Sequence, residues 1–522
     1  MTNDLLSSMV TLNNASQNKL QLVQIDEAIK LLQQPQRITL IDVRDRKAYV
    51  DEHPIFAVNA PLDSIELQIE RLFGNELGIA LIIGDDSTLT YWAASVIADT
   101  TCLTPRIIDG GFDAWKNHHL PVWGGEYTPS KAFGEWAEAT GDIKNIKPED
   151  AIKTPPQYQF DVRPFAEYQK FSLPNSIHCP TGRLGALSIS NSSIYLHCAG
   201  RTRGIIAAQT LTDQDFKGSI YCITGGTQGW ELAGGARSFN NQQSADNFFS
   251  EDTMAKHTNN LIKKFNLPVA TKDCESRWAK SENYFRIITV SEDLTTDHAI
   301  SPTTLIQCTD QYLGTHNLPV IVQGPNRLDC AVSVLWLRRM GWDAFLREKF
   351  APEQAASEHT SATNSEWNGN LMLADLIIDI RSSKAFSSSR LAGSKWLPRS
   401  QFKAISKSDK CLIVCDQSQI THTRQLIKEL NLLEPTCINW DAIPKELIDT
   451  STISFEAFPI DQALFFPERH QGNLKHAKGY LDWEHSLIPT LKDYGDIPWK
   501  PIIDPLDHPK SHLTRFYQKV HL

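Results

Sequence analysis

The feature that most restricts the fold of this chain is a short pattern that comes back along it. Ile38-Thr-Leu-Ile-Asp42-Val-Arg44 returns as Tyr158-Gln-Phe-Asp161-Val-Arg163 and again as Leu376-Ile-Ile-Asp379-Ile-Arg381. Each is an apolar run ending in an acid and a base with one residue between them. Alternation along a strand places that Asp and Arg on one face, where they can pair or tie neighbouring loops. The first two copies continue in parallel, through Tyr49 and Tyr168, through Pro61 and Pro180, and into the apolar strands Ala80 to Ile83 and Ser193 to His197. Helices rich in small residues follow, Tyr91 to Ala98 and Ile205 to Leu211. Each copy closes with a glycine pair ahead of a tryptophan, Gly110-Gly111 before Trp115 and Gly225-Gly226 before Trp230. The period of about 120 residues is the length of one α/β domain rather than of a solenoid repeat. Strands alternating with helices predict a small, mostly parallel sheet covered on both faces. The tryptophans are expected as core anchors and the glycine pairs as turns.

Two further units extend the pattern. In the third, Arg286-Ile-Ile-Thr289-Val-Ser291 puts Thr and Ser where the other copies have Asp and Arg, and Pro319-Val-Ile-Val322 leads towards a helix from Cys330 to Met340. In the fourth, Lys410-Cys-Leu-Ile-Val-Cys415 leads into Asp416-Gln-Ser-Gln419, and the polar stretch Ser361 to Asn370 separates it from the third. The fold class read from the sequence is α/β: four tandem domains at residues 18–125, 148–239, 263–352 and 368–445. Residues 126–147 read as a connector holding a helical Pro129-to-Trp136 stretch, and 240–262, rich in Asn, Gln, Ser and Asp, as a linker. Residues 446–522 read as an irregular C-terminal tail, with some helix and no chemistry.

Composition narrows function only by exclusion. A net charge of −10 argues against a general nucleic-acid or membrane-surface role. No apolar run approaches the roughly 20 residues that span a bilayer, and Met1 to Val10 lacks the basic-then-apolar order of a secretory signal. Ten cysteines without paired spacing point to reduced thiols and a cytoplasmic location. No CxxC or HExxH occurs, so neither metal nor cofactor is expected. The His118-His119 pair reads as solvated, and Cys411 and Cys415 share an apolar run that reads as a buried strand.

Chemistry concentrates at Tyr195-Leu-His-Cys198-Ala199-Gly200-Arg201-Thr202-Arg203-Gly204. A strand delivers Cys198, a tight basic loop follows, and a helix begins. Loop N–H groups, the helix dipole and two arginines all favour an anion there, which is the setting of a reactive thiolate rather than of a core cysteine. Cys198 is the expected nucleophile, with Ala199, Gly200, Arg201, Thr202 and Arg203 as its substrate-binding cradle. Which arginine meets substrate stays open, because Arg203 can instead brace the loop.

These residues resemble the rhodanese family of sulfurtransferases, in an arrangement of four tandem domains. The second unit carries the likeness through Asp161-Val-Arg163, Cys198 to Arg203, and Gly225-Gly226 to Trp230. Pro129-Ser-Lys-Ala-Phe-Gly-Glu135 and Gly479-Tyr-Leu-Asp-Trp-Glu484 also look like stretches of such four-domain proteins. The resemblance implies that Cys198 takes a sulfane sulfur as a persulfide from a small anionic donor such as thiosulfate. It implies a thiol, cyanide or a protein as acceptor. At the position of Cys198 the first unit is expected to have Asp85 and the third roughly Gln323, so neither holds a persulfide. In the fourth, Cys415 is followed by an acid and lacks the glycine and arginines, which disfavours a thiolate. A loop that differs from Gly-Ser-Gly-Val-Thr speaks against 3-mercaptopyruvate as donor. Two other readings compete. Cysteine phosphatases and arsenate reductases put five residues between cysteine and arginine, whereas four separate Cys198 from Arg203. A scaffold reading, with inactive copies presenting surfaces to partners, requires no chemistry at Cys198.

Overall fold

A computed structural model of the protein describes residues 20–280, 285–293, 299–349, 374–451, 453, 455, 459–462, 465–506 and 511–520. The stretches 1–10 and 361–370 discussed above lie outside the described residues. The chain divides into two compact units, residues 1–29, 38–125 and 353–464 in one and residues 30–37, 126–352 and 465–522 in the other.

Four parallel sheets form the framework, two in each unit. In the first unit, one sheet runs Gln21–Val23, Leu103–Ile108, Gly78–Ile83, Ile38–Asp42, Val58–Asn59 across its width. In the second unit the corresponding order is Asn145–Ile146, Gly218–Ile223, Ser192–His197, Tyr158–Asp161, Ile177–His178, again all parallel. Two four-stranded parallel sheets, with Arg286–Thr289 and Leu376–Asp379 at the repeat positions, complete the set. Central strands such as Ile38–Asp42 are buried at every residue, as parallel sheets covered on both faces require.

The Asp–Arg pairs form as alternation predicts, and identically in all three copies. The arginine backbone N–H and Nε reach one carboxylate oxygen, and Nη2 reaches the other at 2.6 to 2.7 Å. Nη2 also donates to the carbonyl eight residues further on, at Glu52, Phe171 and Ser389. Each pair therefore straps down the short helix that follows its strand. Trp115 and Trp230 are buried, and all four glycines of the two closing pairs have positive φ, so core and turn roles hold.

Within the first unit, one apolar cluster joins side chains of both its sheets, from Ile41 and Ile82 to Ile413 and Leu426. Arg399 makes two 2.7 Å bonds to Glu66 there. Burial opposes the charge on Glu66, but the guanidinium more than reverses this and holds it down to about 2.

Within the second unit, Glu292 is half-buried, accepting from Thr303 Oγ1 at 2.8 Å and from the Thr303 and Gly182 N–H groups at 3.2 Å. Burial, reinforced by Asp329, pushes Glu292 up to about 7. A folded-state value above the unfolded one means that ionising the group costs stability. That cost is absent below about pH 4, grows as the pH rises and is complete above about pH 7. Glu292→Gln keeps the acceptor oxygen and removes the charge. It is expected to stabilise the protein by about 1–3 kcal/mol at pH 8, with the gain narrowing towards pH 4 in melts across that range. A pH-independent difference would contradict the assignment.

Two stretches differ from the sequence expectation. The stretch read as a linker, 240–262, is largely the helix Glu251–Lys264, which begins where Ser250 Oγ accepts from the Thr253 N–H. Its buried stripe is narrow, Thr258 and Leu261, so an otherwise polar composition hides it. Past residue 445, in the stretch read as tail, Ile448–Asp449 pairs antiparallel with Arg390–Leu391. The tail contains the 21-residue helix Leu474–Tyr494 and the short helix His512–Tyr517.

Candidate functional site

Cys198 follows the strand Ser192–His197, which lies inside its sheet between Tyr158–Asp161 and Gly218–Ile223. The carboxyl ends of such strands are where open parallel sheets bind ligands. Two carbonyls of the loop are held from behind. Cys198 O accepts from the Thr227 N–H at 2.9 Å, and Ala199 O accepts from the Gln228 N–H and Nε2, each at 3.1 Å. This close approach requires glycine at Gly226, where φ is +53° and a Cβ would stand 2.3 Å from Cys198 O. With the carbonyls so engaged, the backbone N–H groups of Ala199 to Arg203 find no acceptor among the described residues. The helix Thr202–Asp213 starts at the same place, adding the positive end of its dipole.

These loop residues line a cavity of about 410 Å³, and the Cys198 side of it is enclosed, that residue being 2% exposed. All six sequence-predicted site residues, Cys198 to Arg203, border this space. The arginines, however, are already engaged. Arg201 binds Glu135 at 2.6 and 3.0 Å and also reaches Glu138. Arg203 binds Glu167 at 2.7 and 3.0 Å, which is the bracing role left open above. Burial alone would ease the proton off both guanidiniums, yet the facing carboxylates more than reverse this and keep them charged. Cys198 is among the groups that add to the latter effect on Arg203, so sulfur and guanidinium stand close enough to interact.

The other walls come from parts of the chain that the sequence reading kept away from the chemistry. From the connector helix Thr128–Thr140, Lys131 reaches Tyr480 Oη and, at 3.1 Å, Glu484 Oε1. Both partners belong to the tail helix. Thr202 Oγ1 approaches the same carboxylate oxygen at 3.4 Å, while Glu484 Oε2 has no hydrogen-bond partner. A Cβ at Gly200 would sit 2.9 Å from Glu484 Oε2 and 3.0 Å from the Tyr480 ring, so the glycine is what lets the tail helix close over the loop. The expectation of a tail without a part in the site is therefore corrected: Arg469, His470, Tyr480 and Glu484 all line the cavity. The signal was present in Pro129-to-Glu135 and Gly479-to-Glu484, the two blocks noticed outside the repeats, but nothing in a sequence shows that they meet.

Strand register corrects two correspondences. The N–H of Val162 donates to His197 O, and Cys198 follows. The equivalent bonds run from Val43 to Ile83 O, from Val290 to Gln323 O and from Ile380 to Val414 O. The residues matching Cys198 are therefore Gly84, Gly324 and Cys415, not Asp85 or Gln323. An apolar run does not show which of its last residues leaves the ladder, so the sequence reading slipped by one. Cys415 is fully buried, and its hydrogen bond with Cys437, together with burial, pushes its thiol far up. Asp416 and Gln419 cap the turn that follows. Burial also pushes the Cys179 and Cys222 thiols up, and that of Cys308 to about 12.

No group of three or more His, Cys, Asp or Glu side chains among the described residues is arranged to hold a metal ion. No helix among them is long and apolar enough to cross a membrane.

Sheet order, the Asp–Arg strap and a cysteine at the strand-to-helix junction together define a rhodanese-type fold. Residues 24–118 and 148–233 match the model of the rhodanese-like domain, so the chain contains two such domains, and Cys198 lies in the second. Over nearly the whole chain the fold is similar to that of a thiosulfate sulfurtransferase from Pseudomonas aeruginosa. The TM-score is 0.76 and the identity 21%, over 90% of this chain and 98% of that one. Shorter solved chains match locally. The Alr3790 protein from Anabaena sp. is 22% identical over 20% of this chain and 92% of its own, at a TM-score of 0.19. The BH2092 protein from Bacillus halodurans is 19% identical over 22% and 88%, at 0.17. No curated protein sequence matches.

Proposed function

We propose that the protein is a sulfurtransferase that moves a sulfane sulfur from thiosulfate, or a similar anionic donor, to a thiophilic acceptor through a persulfide on Cys198. The observation that carries this reading is the enclosed Cys198 beside the N–H groups of Ala199 to Arg203, which have no acceptor among the described residues. Such a nest suits an anionic sulfur as an oxyanion hole suits oxygen.

In the first half-reaction the Cys198 thiolate attacks the outer sulfur of thiosulfate. A bond forms between the two sulfurs, the donor's own S–S bond breaks, and sulfite leaves with the electron pair. In the second, cyanide or a thiolate attacks the outer sulfur of the persulfide, and the Cys198 thiolate departs. Thiocyanate or a new persulfide is released, the enzyme returns to its starting state, and the kinetics are ping-pong. Arg201 and Arg203 hold the cradle in shape through Glu135, Glu138 and Glu167.

The four sheets fit a reading of four tandem rhodanese-like domains with one active site. Gly84 and Gly324 have no thiol to offer, and Cys415 is kept protonated. Small anions and thiols, cyanide or a protein thiol are the proposed partners, in a reducing compartment such as the cytoplasm, where ten free cysteines stay reduced. Thiosulfate-dependent thiocyanate formation, measured beside phosphatase activity on one preparation, tests the reaction class. Sulfur transfer without phosphate release is expected; the reverse would overturn the proposal.

A further inference from the structure

Five cationic side chains that line the cavity are enclosed or partly so, and four of them are neutralised. Arg163 is paired with Asp161, Arg201 with Glu135, Arg203 with Glu167 and Lys131 with Glu484. The fifth, Arg469, has no carboxylate partner among the described residues. Its position is nevertheless set. Nη1 donates to Phe465 O, and the guanidinium lies over the Tyr480 ring, 4.2 Å from its centre. Its Nε is buried without a hydrogen-bond partner.

The next residue repeats the observation. His470 Nδ1 is also buried without a partner. Its backbone is fixed by Arg237 Nη1, which donates to His470 O at 2.7 Å, and its ring packs 5.8 Å from that of Phe171. Burial, helped by Arg469, Arg163 and Arg203, pulls the imidazole down to about 3 against the opposing charge of Glu167. The ring is therefore neutral at physiological pH and has one N–H to donate, beside the unneutralised guanidinium of Arg469. A fixed but unneutralised arginine beside an unbonded imidazole is a receptor for an anion.

We propose that Arg469 and His470 form an oxyanion subsite that holds the sulfonate or carboxylate end of the substrate whose sulfur is exchanged at Cys198. Loop arginines cannot serve this purpose while they brace the loop, so anion recognition passes to the C-terminal segment. Two sources share the chemistry: the sulfonate of thiosulfate, and the carboxylate of a mercapto acid acting as acceptor. The cavity of about 410 Å³ has the size of pockets for small organic molecules, which admits either. The subsite rests on the sulfurtransferase reading above.

Full-length Arg469→Gln, Arg469→Lys and His470→Gln variants test it by steady-state kinetics. KM is measured for thiosulfate with cyanide as acceptor, and for mercaptoacetate against the neutral thiol 2-mercaptoethanol with thiosulfate as donor. Arg469→Gln is expected to raise KM about tenfold to hundredfold for the anion that occupies the subsite. Arg469→Lys recovers part of the loss, His470→Gln shows a smaller rise of the same kind, and KM for 2-mercaptoethanol stays at the wild-type value. A rise for thiosulfate assigns the sulfonate, and a rise for mercaptoacetate alone assigns the carboxylate. Unchanged KM values for both anions, or equal rises for mercaptoacetate and 2-mercaptoethanol with thiosulfate unchanged, would overturn the subsite. If the wild-type protein transfers no sulfur, the functional reading fails instead; if it does and the variants match it, the subsite alone fails.

Discussion

Cys198→Ser is expected to lower thiosulfate-dependent thiocyanate formation by a factor on the order of 10³ or more, while Cys415→Ser leaves the rate unchanged. A hydroxyl in place of the thiol can neither accept sulfur at neutral pH nor leave as a stable anion. Cys198 Sγ makes no hydrogen bond to the protein among the described residues, so the exchange removes chemistry and little structure. At Cys415 the conditions are reversed. Its thiol donates to Ile438 O at 3.6 Å, is fully buried and is held protonated by Cys437 and burial. Comparable losses in the two variants would mean that the fourth sheet carries a second working thiol.

Lys131→Met is expected to destabilise the second unit by about 3–5 kcal/mol, the usual effect of removing one member of a buried ion pair. The Lys131 and Glu484 side chains are 7% and 1% exposed, so solvent cannot replace the lost cation. Burial by itself would lower Lys131, but Tyr480 and Glu484 hold it well above the ordinary lysine value. Adding Glu484→Leu should restore most of the stability, because the double variant leaves no unpaired charge. Denaturant midpoints of the two variants check this. A single variant within about 1 kcal/mol of wild type would show that the pair behaves as an exposed one. The single variant should also lose sulfur transfer, since an uncompensated Glu484 carboxylate would face Gly200 beside the cradle.

Much of this was readable in the sequence because it depends on neighbours in the chain. The Asp161–Arg163 pair needs only strand alternation, and the Cys198 loop only a strand, a tight turn and a helix start, all within ten residues. What failed depends on geometry that local pattern does not encode. Strand ends are set by pairing with other strands, so Asp85 and Gln323 were each placed one residue away from the true counterparts Gly84 and Gly324. The Glu251–Lys264 helix was hidden because only two of its side chains are buried in a polar stretch. The closing of the site was the largest omission. Lys131 and Glu484 stand 353 positions apart, and Arg201 meets carboxylates 63 and 66 positions earlier. Pairing over such separations leaves only composition behind, an isolated lysine here and a glutamate there. The tail, read as irregular packing, supplies Arg469, His470, Tyr480 and Glu484 to the cavity.

Peptide mass spectrometry of the full-length protein after exposure to thiosulfate and alkylation of remaining thiols tests the central claim most directly. One extra sulfur atom on the peptide containing Cys198, lost again after cyanide is added, is the expected result. Sulfur retained on Cys308 or Cys415 instead, with Cys198 unmodified, would contradict it.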